Sequence, residues 1–201
     1  MSRYPYLPEL VYQNKCKKIL EIGTWAGGTA SQMIISANRI DGNNDNVYYY
    51  GFDLFEDFVV NKAVGDVKIP PSYKEVEDKL NRVGTNITLI KGNSLETVPK
   101  FVSENKDLKM DFIFIDGGHA WEVIEQDWNN VQPLIDKNTI IVFDDHWTPA
   151  QQWGSNKIIS EIDKTKWNVD VMPNHSPGKC DDGSAGQIRV VRVKQKSFFE
   201  V

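Results

Sequence analysis

The sequence predicts an α/β protein: a doubly wound, mostly parallel sheet with helices on both faces. Three observations predict it. Short apolar runs rich in β-branched and aromatic residues recur along the chain, separated by longer stretches of helical period. Two runs, Phe112-Ile113-Phe114-Ile115 and Ile140-Ile141-Val142-Phe143, are wholly apolar, as strands covered by helices on both faces must be. Near the end of the chain, residues 173–187 hold Pro, Gly, Asn, Asp and Ser without helical period, so the last two strands are expected to form an antiparallel hairpin with a long loop.

In chain order, seven strands are expected at residues 18–22, 47–52, 87–91, 110–115, 139–143, 167–172 and 188–193. Helices are expected at 29–40, 72–83, 94–105, 121–131 and 149–164. Asn93 followed by Glu96 reads as a capping box opening the third helix. No repeat, low-complexity tract or linker divides the chain, so residues 1–201 read as a single domain.

The composition, 40% hydrophobic and 25% charged, is that of a globular protein. At this size folding removes roughly 70% of the unfolded surface from water, so cross-links are not needed. Cys16 and Cys180 lack a second Cys at zinc or redox spacing and read as free thiols of a reducing compartment. A net charge of −5 without a dense Lys/Arg block argues against gripping nucleic acid by its phosphates. No apolar run is long enough for a signal peptide or membrane span, and a cytoplasmic location is expected by default.

In doubly wound sheets ligands lie beyond the carboxyl ends of the strands. The first such turn is Glu21-Ile22-Gly23-Thr24-Trp25-Ala26-Gly27-Gly28-Thr29. A dinucleotide fingerprint needs glycine where Trp25 stands, and a P-loop needs lysine where Gly28 stands, so both readings fall. What remains is E-x-G-x-x-x-G, which is equally a ligand-lining turn and a strand-to-helix turn that needs glycine for geometry alone. Asp53 follows the second strand, where a carboxylate can accept hydrogen bonds from two ribose hydroxyls; by itself it is a solvated loop acid. Asn93 and Ser94 follow the third strand. Asp116 ends the fourth and Asp144-Asp145 the fifth. If these strands are neighbours, three acids converge, a repulsion relieved by solvation, a proton or a hard cation such as magnesium, calcium or manganese.

These motifs together resemble the class I S-adenosylmethionine-dependent methyltransferases. The D-G-x-H-x-x-E pattern from Asp116 to Glu122, followed by F-D-D at Phe143-Asp144-Asp145, is similar to the metal-dependent small-molecule O-methyltransferases of the macrocin and cephalosporin-hydroxylase type. The resemblance covers roughly residues 18–147 and implies a Rossmann-like methyltransferase fold. It implies that Glu21, Gly23, Thr24 and Gly27 line the methionine half of S-adenosylmethionine, that Asp53 holds the ribose, and that Asn93 and Ser94 lie near the adenine. It also implies that Asp116, Asp144 and Asp145 hold Mg2+ or another hard divalent cation, with Asp116 shared between the cofactor and the reacting groups.

A cation there would lower the pKa of an acceptor hydroxyl, and His119 is the expected base, with His146 in reserve. Some relatives carry an acidic base two residues after the first metal ligand, where this chain has Gly118. Glu122 and Asp127 are expected on an exposed helical face, and Trp121 and Trp128 in the core. The long connection 54–71 and the segment 173–186 are the expected covers of a small-molecule acceptor. An open site and one completed by a second copy of the chain both fit. A methyltransferase without a metal, acting on another nucleophile, and a non-catalytic nucleoside-binding module are the alternatives.

Overall fold

A computed structural model describes residues 2–58 and 69–196. Helix α1 (Tyr6–Gln13) precedes strand β1 (Lys18–Ile22), which leads into α2 (Gly28–Asn38). Then follow β2 (Tyr48–Asp53), α3 (Tyr73–Leu80), β3 (Asn86–Lys91), α4 (Ser94–Glu104), β4 (Phe112–Ile115) and α5 (Trp121–Val131). The chain continues through β5 (Ile140–Thr148), α6 (Asn156–Glu161), β6 (Trp167–Val171), β7 (Ser176–Lys179) and β8 (Ala185–Gln195). The sheet order is β3-β2-β1-β4-β5-β8-β6, with β7 also on β8. Strands β1 to β5 run parallel, and β8 is antiparallel to β5, β6 and β7.

Strand alternation sorts the core into two layers. On one face Ile19, Tyr49, Phe112, Phe114, Ile140 and Val142 meet apolar residues of α1, α2 and α3, including Leu7, Met33 and Leu80. On the other, Leu20, Phe52, Ile113, Ile115, Ile141 and Phe143 meet α4, α5 and α6 through residues such as Val98, Ile124 and Ile158. Each such fully buried side chain contributes roughly 1.5–3 kcal/mol, which fixes the register against a slip that would invert the faces.

That register positions the site. Ile22 pairs with both Phe52 and Ile115, and Ile115 pairs with Phe143. The next residue along each strand, Gly23, Asp53, Asp116 and Asp144, therefore stands in one row at the carboxyl edge. The row spans the switch point between β1 and β4, where the order of connection reverses.

Several expectations change. The described residues hold eight strands, because residues 176–179 of the expected loop pair with β8. Helix α1 lies outside the expected elements, and the helix expected at 149–164 is confined to Asn156–Glu161 because residues 149–155 form an irregular loop in which Gly154 takes φ +84°. Asn93 caps α4 through the Leu95 amide but forms no box with Glu96; the capping box is instead at Ser72 and Glu75, opening α3. Asp127 is buried rather than exposed. Both cysteines are buried and free. The middle of the 54–71 connection lies outside the described residues.

Candidate active site

The turn after β1 is shaped by close backbone contact. Gly23 has φ +92°, and a Cβ there would lie 2.0 Å from the carbonyl oxygen of Asp116, so only glycine lets the β1 and β4 ends approach. Gly27 has φ +64° and offers no side-chain cap to α2, leaving the first-turn amides free to face a ligand. A Cβ on Gly28 would meet nothing within 4 Å, so the space beyond the turn is open.

Asp53 is oriented by two backbone amides, Trp25 to Oδ2 at 2.6 Å and Phe55 to Oδ1 at 2.7 Å. Each carboxylate oxygen has a second lone pair, so the group can still accept from outside. Trp25 adopts φ +47°, a conformation more often left to glycine, and its amide is thereby turned to Asp53. Glu21 and Thr24 point inward: Glu21 accepts from the Tyr49 hydroxyl, which lies 3.2 Å from Thr24 Oγ1. Burial raises the Glu21 pKa from its ordinary 4.5 to about 8, against the pull of the Tyr49 hydrogen bond. Asn93 is exposed and Ser94 half-buried at the start of α4.

Asp116, Asp144 and Asp145 do converge, but with company that the motifs do not announce. The Arg3 guanidinium forks onto Asp144, Nε to Oδ1 at 2.5 Å and Nη2 to Oδ2 at 2.6 Å, and Nη2 lies 3.5 Å from Asp145 Oδ1. The Tyr4 hydroxyl donates to Asp144 Oδ2 at 2.8 Å and lies 3.4 Å from Asp116 Oδ2. Burial and the nearby Asp144 charge push the Asp116 carboxyl well above its usual range. Burial pushes Asp144 upward most strongly, but the Arg3 hydrogen bonds and charge, together with hydrogen bonds from Asp116 and the Asp145 backbone, jointly exceed it and hold Asp144 below its ordinary value.

The strands deliver these acids differently than expected. Asp144, Asp145 and His146 lie within β5, not after it, and the pairing with β8 shifts register between Phe143 and His146. Asp145 takes φ +54° in this irregularity. It pairs with Nδ1 of His119, whose side chain is 66% exposed. That hydrogen bond raises the His119 pKa, with burial opposing. His146 faces a separate cleft lined by Gln151, Asn156, Lys157 and Lys164, so the reserve base is not beside Asp116.

The loop between β5 and α6 packs on the backbone of the pair. Gly154 donates its amide to the His119 carbonyl at 2.8 Å, and a Cβ at Gly154 would lie 2.3 Å from the Asp145 carbonyl oxygen. Trp153 stands edge-on to His119 and donates to Asp181 at 3.0 Å, which brings the β7–β8 turn to the rim. Arg3, Tyr4, Trp153 and Gly154 were not singled out from the sequence. Only Gly154, a glycine between β5 and α6, carried a local signal.

The three acids as arranged do not suit a divalent cation. Both oxygens of Asp144 are engaged by Arg3 and one oxygen of Asp145 by His119, and no group of three His, Cys, Asp or Glu among the described residues forms a metal-competent set. The Mg2+ site expected at Asp116, Asp144 and Asp145 does not match this geometry, because a fixed guanidinium already supplies the counter-charge. For an adenosine cofactor the fit is better: an uncapped helix start, open space at Gly28 and an oriented Asp53 lie on one rim.

Comparisons with known proteins agree with this fold. Residues 20–146 match a family model described as a methyltransferase domain. An uncharacterized protein of Acanthamoeba polyphaga mimivirus is 30% identical over 94 residues, 45% of this chain; the chain spans less than half (42%) of that protein's length. Among solved structures, a calicheamicin methyltransferase, CalS11, superposes with a TM-score of 0.63 at 18% identity, covering 90% of this chain and 76% of that one. The O-methyltransferase TomG of Streptomyces achromogenes, involved in tomaymycin synthesis and solved with S-adenosylmethionine, superposes with a TM-score of 0.60 at 12% identity, covering 96% and 79%.

Proposed function

The chain belongs to the methyltransferase-domain family, and on the premise that it is a methyltransferase we propose that it carries the methyl group of S-adenosylmethionine to a hydroxyl of a small molecule. The observation that carries this reading is the single row of Gly23, Asp53, Asp116 and Asp144 at the carboxyl edge, set by the pairing of Ile22 with Phe52 and Ile115 and of Ile115 with Phe143. The cofactor supplies an electrophilic methyl carbon on a sulfonium.

In this reading the turn at Gly23 and Gly27, with the first amides of α2, receives the amino-acid end of the cofactor, and Glu21 lies behind that turn. Asp53 accepts from the ribose, and Asn93 and Ser94 border the adenine. Asp116, close to both Gly23 and the acid cluster, separates the cofactor from the acceptor. Asp145 holds His119 through Nδ1, leaving Nε2 to take the proton of the acceptor hydroxyl, whose oxygen would replace sulfur on the methyl carbon while the electron pair of the broken sulfur–methyl bond stays on the thioether that leaves. The carboxylates orient their neighbours and balance charge.

Calorimetry with S-adenosylmethionine on the wild type and on Asp53→Ala tests the cofactor assignment, and transfer of a labelled methyl group to a panel of phenols, sugars and amines tests the acceptor class. Saturable heat that Asp53→Ala weakens, with label on hydroxyl acceptors, is expected. No heat with the cofactor, or label on amines alone, would refute the reading.

A further inference from the structure

The carboxylate cluster is closed by a side chain from the far end of the chain. Arg3 and Asp144 are 141 positions apart, yet their side chains are 13% and 1% exposed and joined by two parallel hydrogen bonds. The segment that carries Arg3 is tied down at several points. The guanidinium lies over the Tyr4 ring at 4.6 Å, the Tyr4 ring stands edge-on to Phe114, and the Arg3 amide donates to Ser176 Oγ at 3.3 Å. Immediately after it, α1 buries Leu7, Leu10 and Val11 in the core. The arginine therefore belongs to the folded structure and is not a loose tail resting on an acidic patch.

We propose that Arg3 is the resident cation of this cluster, an internal guanidinium that takes the place a divalent ion would need, and that removing it opens Asp144 and Asp145 to such an ion. The chemistry of the two occupants is exclusive. A magnesium ion demands near-octahedral oxygens at about 2.0–2.1 Å and calcium at about 2.3–2.6 Å. Asp144 Oδ2 already accepts from Arg3 Nη2 at 2.6 Å and from the Tyr4 hydroxyl at 2.8 Å, and Oδ1 from Arg3 Nε at 2.5 Å; an ion taking the lone pair left on Oδ1 would stand beside the guanidinium, and two positive groups that close repel strongly where little water screens them. Arg3 suits the post better than a lysine would, because its planar fork matches both oxygens of one carboxylate at once. It is a positioning residue: by holding Asp144 and approaching Asp145 at 3.5 Å it stiffens the acid that orients His119.

The inference stands on the cluster alone; only its catalytic consequence, methyl transfer indifferent to chelators, rests on the function proposed above. The test therefore reads metal binding. The full chain is titrated with Mn2+ in the absence of cofactor, following free Mn2+ by electron paramagnetic resonance, for wild type, Arg3→Ala, Arg3→Met and the double variant Arg3→Ala/Asp144→Asn. The wild type is expected to show no saturable binding at micromolar Mn2+. The single variants are expected to bind one ion at least about 100-fold tighter than the wild type, and the double variant to lose it. Arg3→Met keeps an apolar stem over Tyr4, so a folding defect of the alanine variant does not remove the test. Tight Mn2+ binding by the wild type, which needs no variant, would overturn the proposal. So would folded Arg3→Ala and Arg3→Met proteins that bind no better than wild type.

Discussion

Glu21 offers a quantitative test of where the cofactor lies. Its side chain is 1% exposed, and burial lifts its pKa from 4.5 to about 8. At pH 7 the carboxyl is then about one-tenth ionised, which corresponds to about 1.4 kcal/mol withheld from any ligand that requires the charged form. If the positively charged amino-acid end of S-adenosylmethionine sits over the Gly23 turn, binding draws Glu21 into its ionised form and releases about 0.9 proton at pH 7. The Glu21-dependent part of the affinity rises about tenfold between pH 7 and pH 9. Calorimetry in two buffers of different ionisation enthalpy measures the protons released. The donor's own amino group titrates in the same range, so the quantity to read is wild type minus Glu21→Gln. The unliganded protein moves the opposite way. Because the folded pKa is raised, the stabilisation is complete below pH 4.5 and is lost as pH climbs to 8, a change on the order of 5 kcal/mol that Glu21→Gln abolishes. Equal proton release by the two proteins would show that the cofactor's charge does not lie near this residue.

Asp53→Ala removes an acceptor from the site and two partners from the Trp25 and Phe55 amides, and S-adenosylmethionine affinity is expected to fall about 10- to 100-fold by calorimetry, with a smaller loss for Asp53→Asn. Gly23→Ala drives a Cβ to 2.0 Å from the Asp116 carbonyl oxygen, and denaturant unfolding should show a loss of roughly 3 kcal/mol or more. Asp127 is raised by burial from 3.8 to about 6, against the pull of Ser94, so its stabilisation is full below pH 3.8 and lost as pH rises through 6. Asp127→Asn should flatten the stability profile over that window by about 2 kcal/mol, read as the difference between urea midpoints at pH 4 and pH 6. His119→Ala should slow methyl transfer about 100-fold while leaving cofactor affinity within a factor of two, checked by single-turnover assay beside calorimetry.

The position of Asp127 was legible in the residues. Ile124, Asp127 and Val131 share one helical face, and the period that places Ile124 and Val131 inside places Asp127 there too; its charge misdirected the expectation. The strand β7 was not legible, because Ser176-Pro177-Gly178-Lys179 has no apolar alternation and pairs on an edge, where main-chain bonding alone suffices. Helix α1 spans only two turns and opens among prolines, and its order comes from packing Leu7, Leu10 and Val11 against the sheet rather than from local propensity.

The residues by themselves determined the alternation of strand and helix, the apolar faces, and the identity of Gly23, Asp53 and Asp116 as strand-end groups and of Asp144 as an acid of the fifth strand, because period and turn chemistry are local properties. Folding decided that these groups share one row, since register depends on which strands become neighbours. It also decided what neutralises the acids. Arg3 and Tyr4 reach Asp144 across 141 and 140 positions of chain, and no local rule couples residues that meet only after α1 has docked. The charge of a buried cluster is a property of the assembled cleft, so acids that read as a cation site in sequence are joined in space by an arginine.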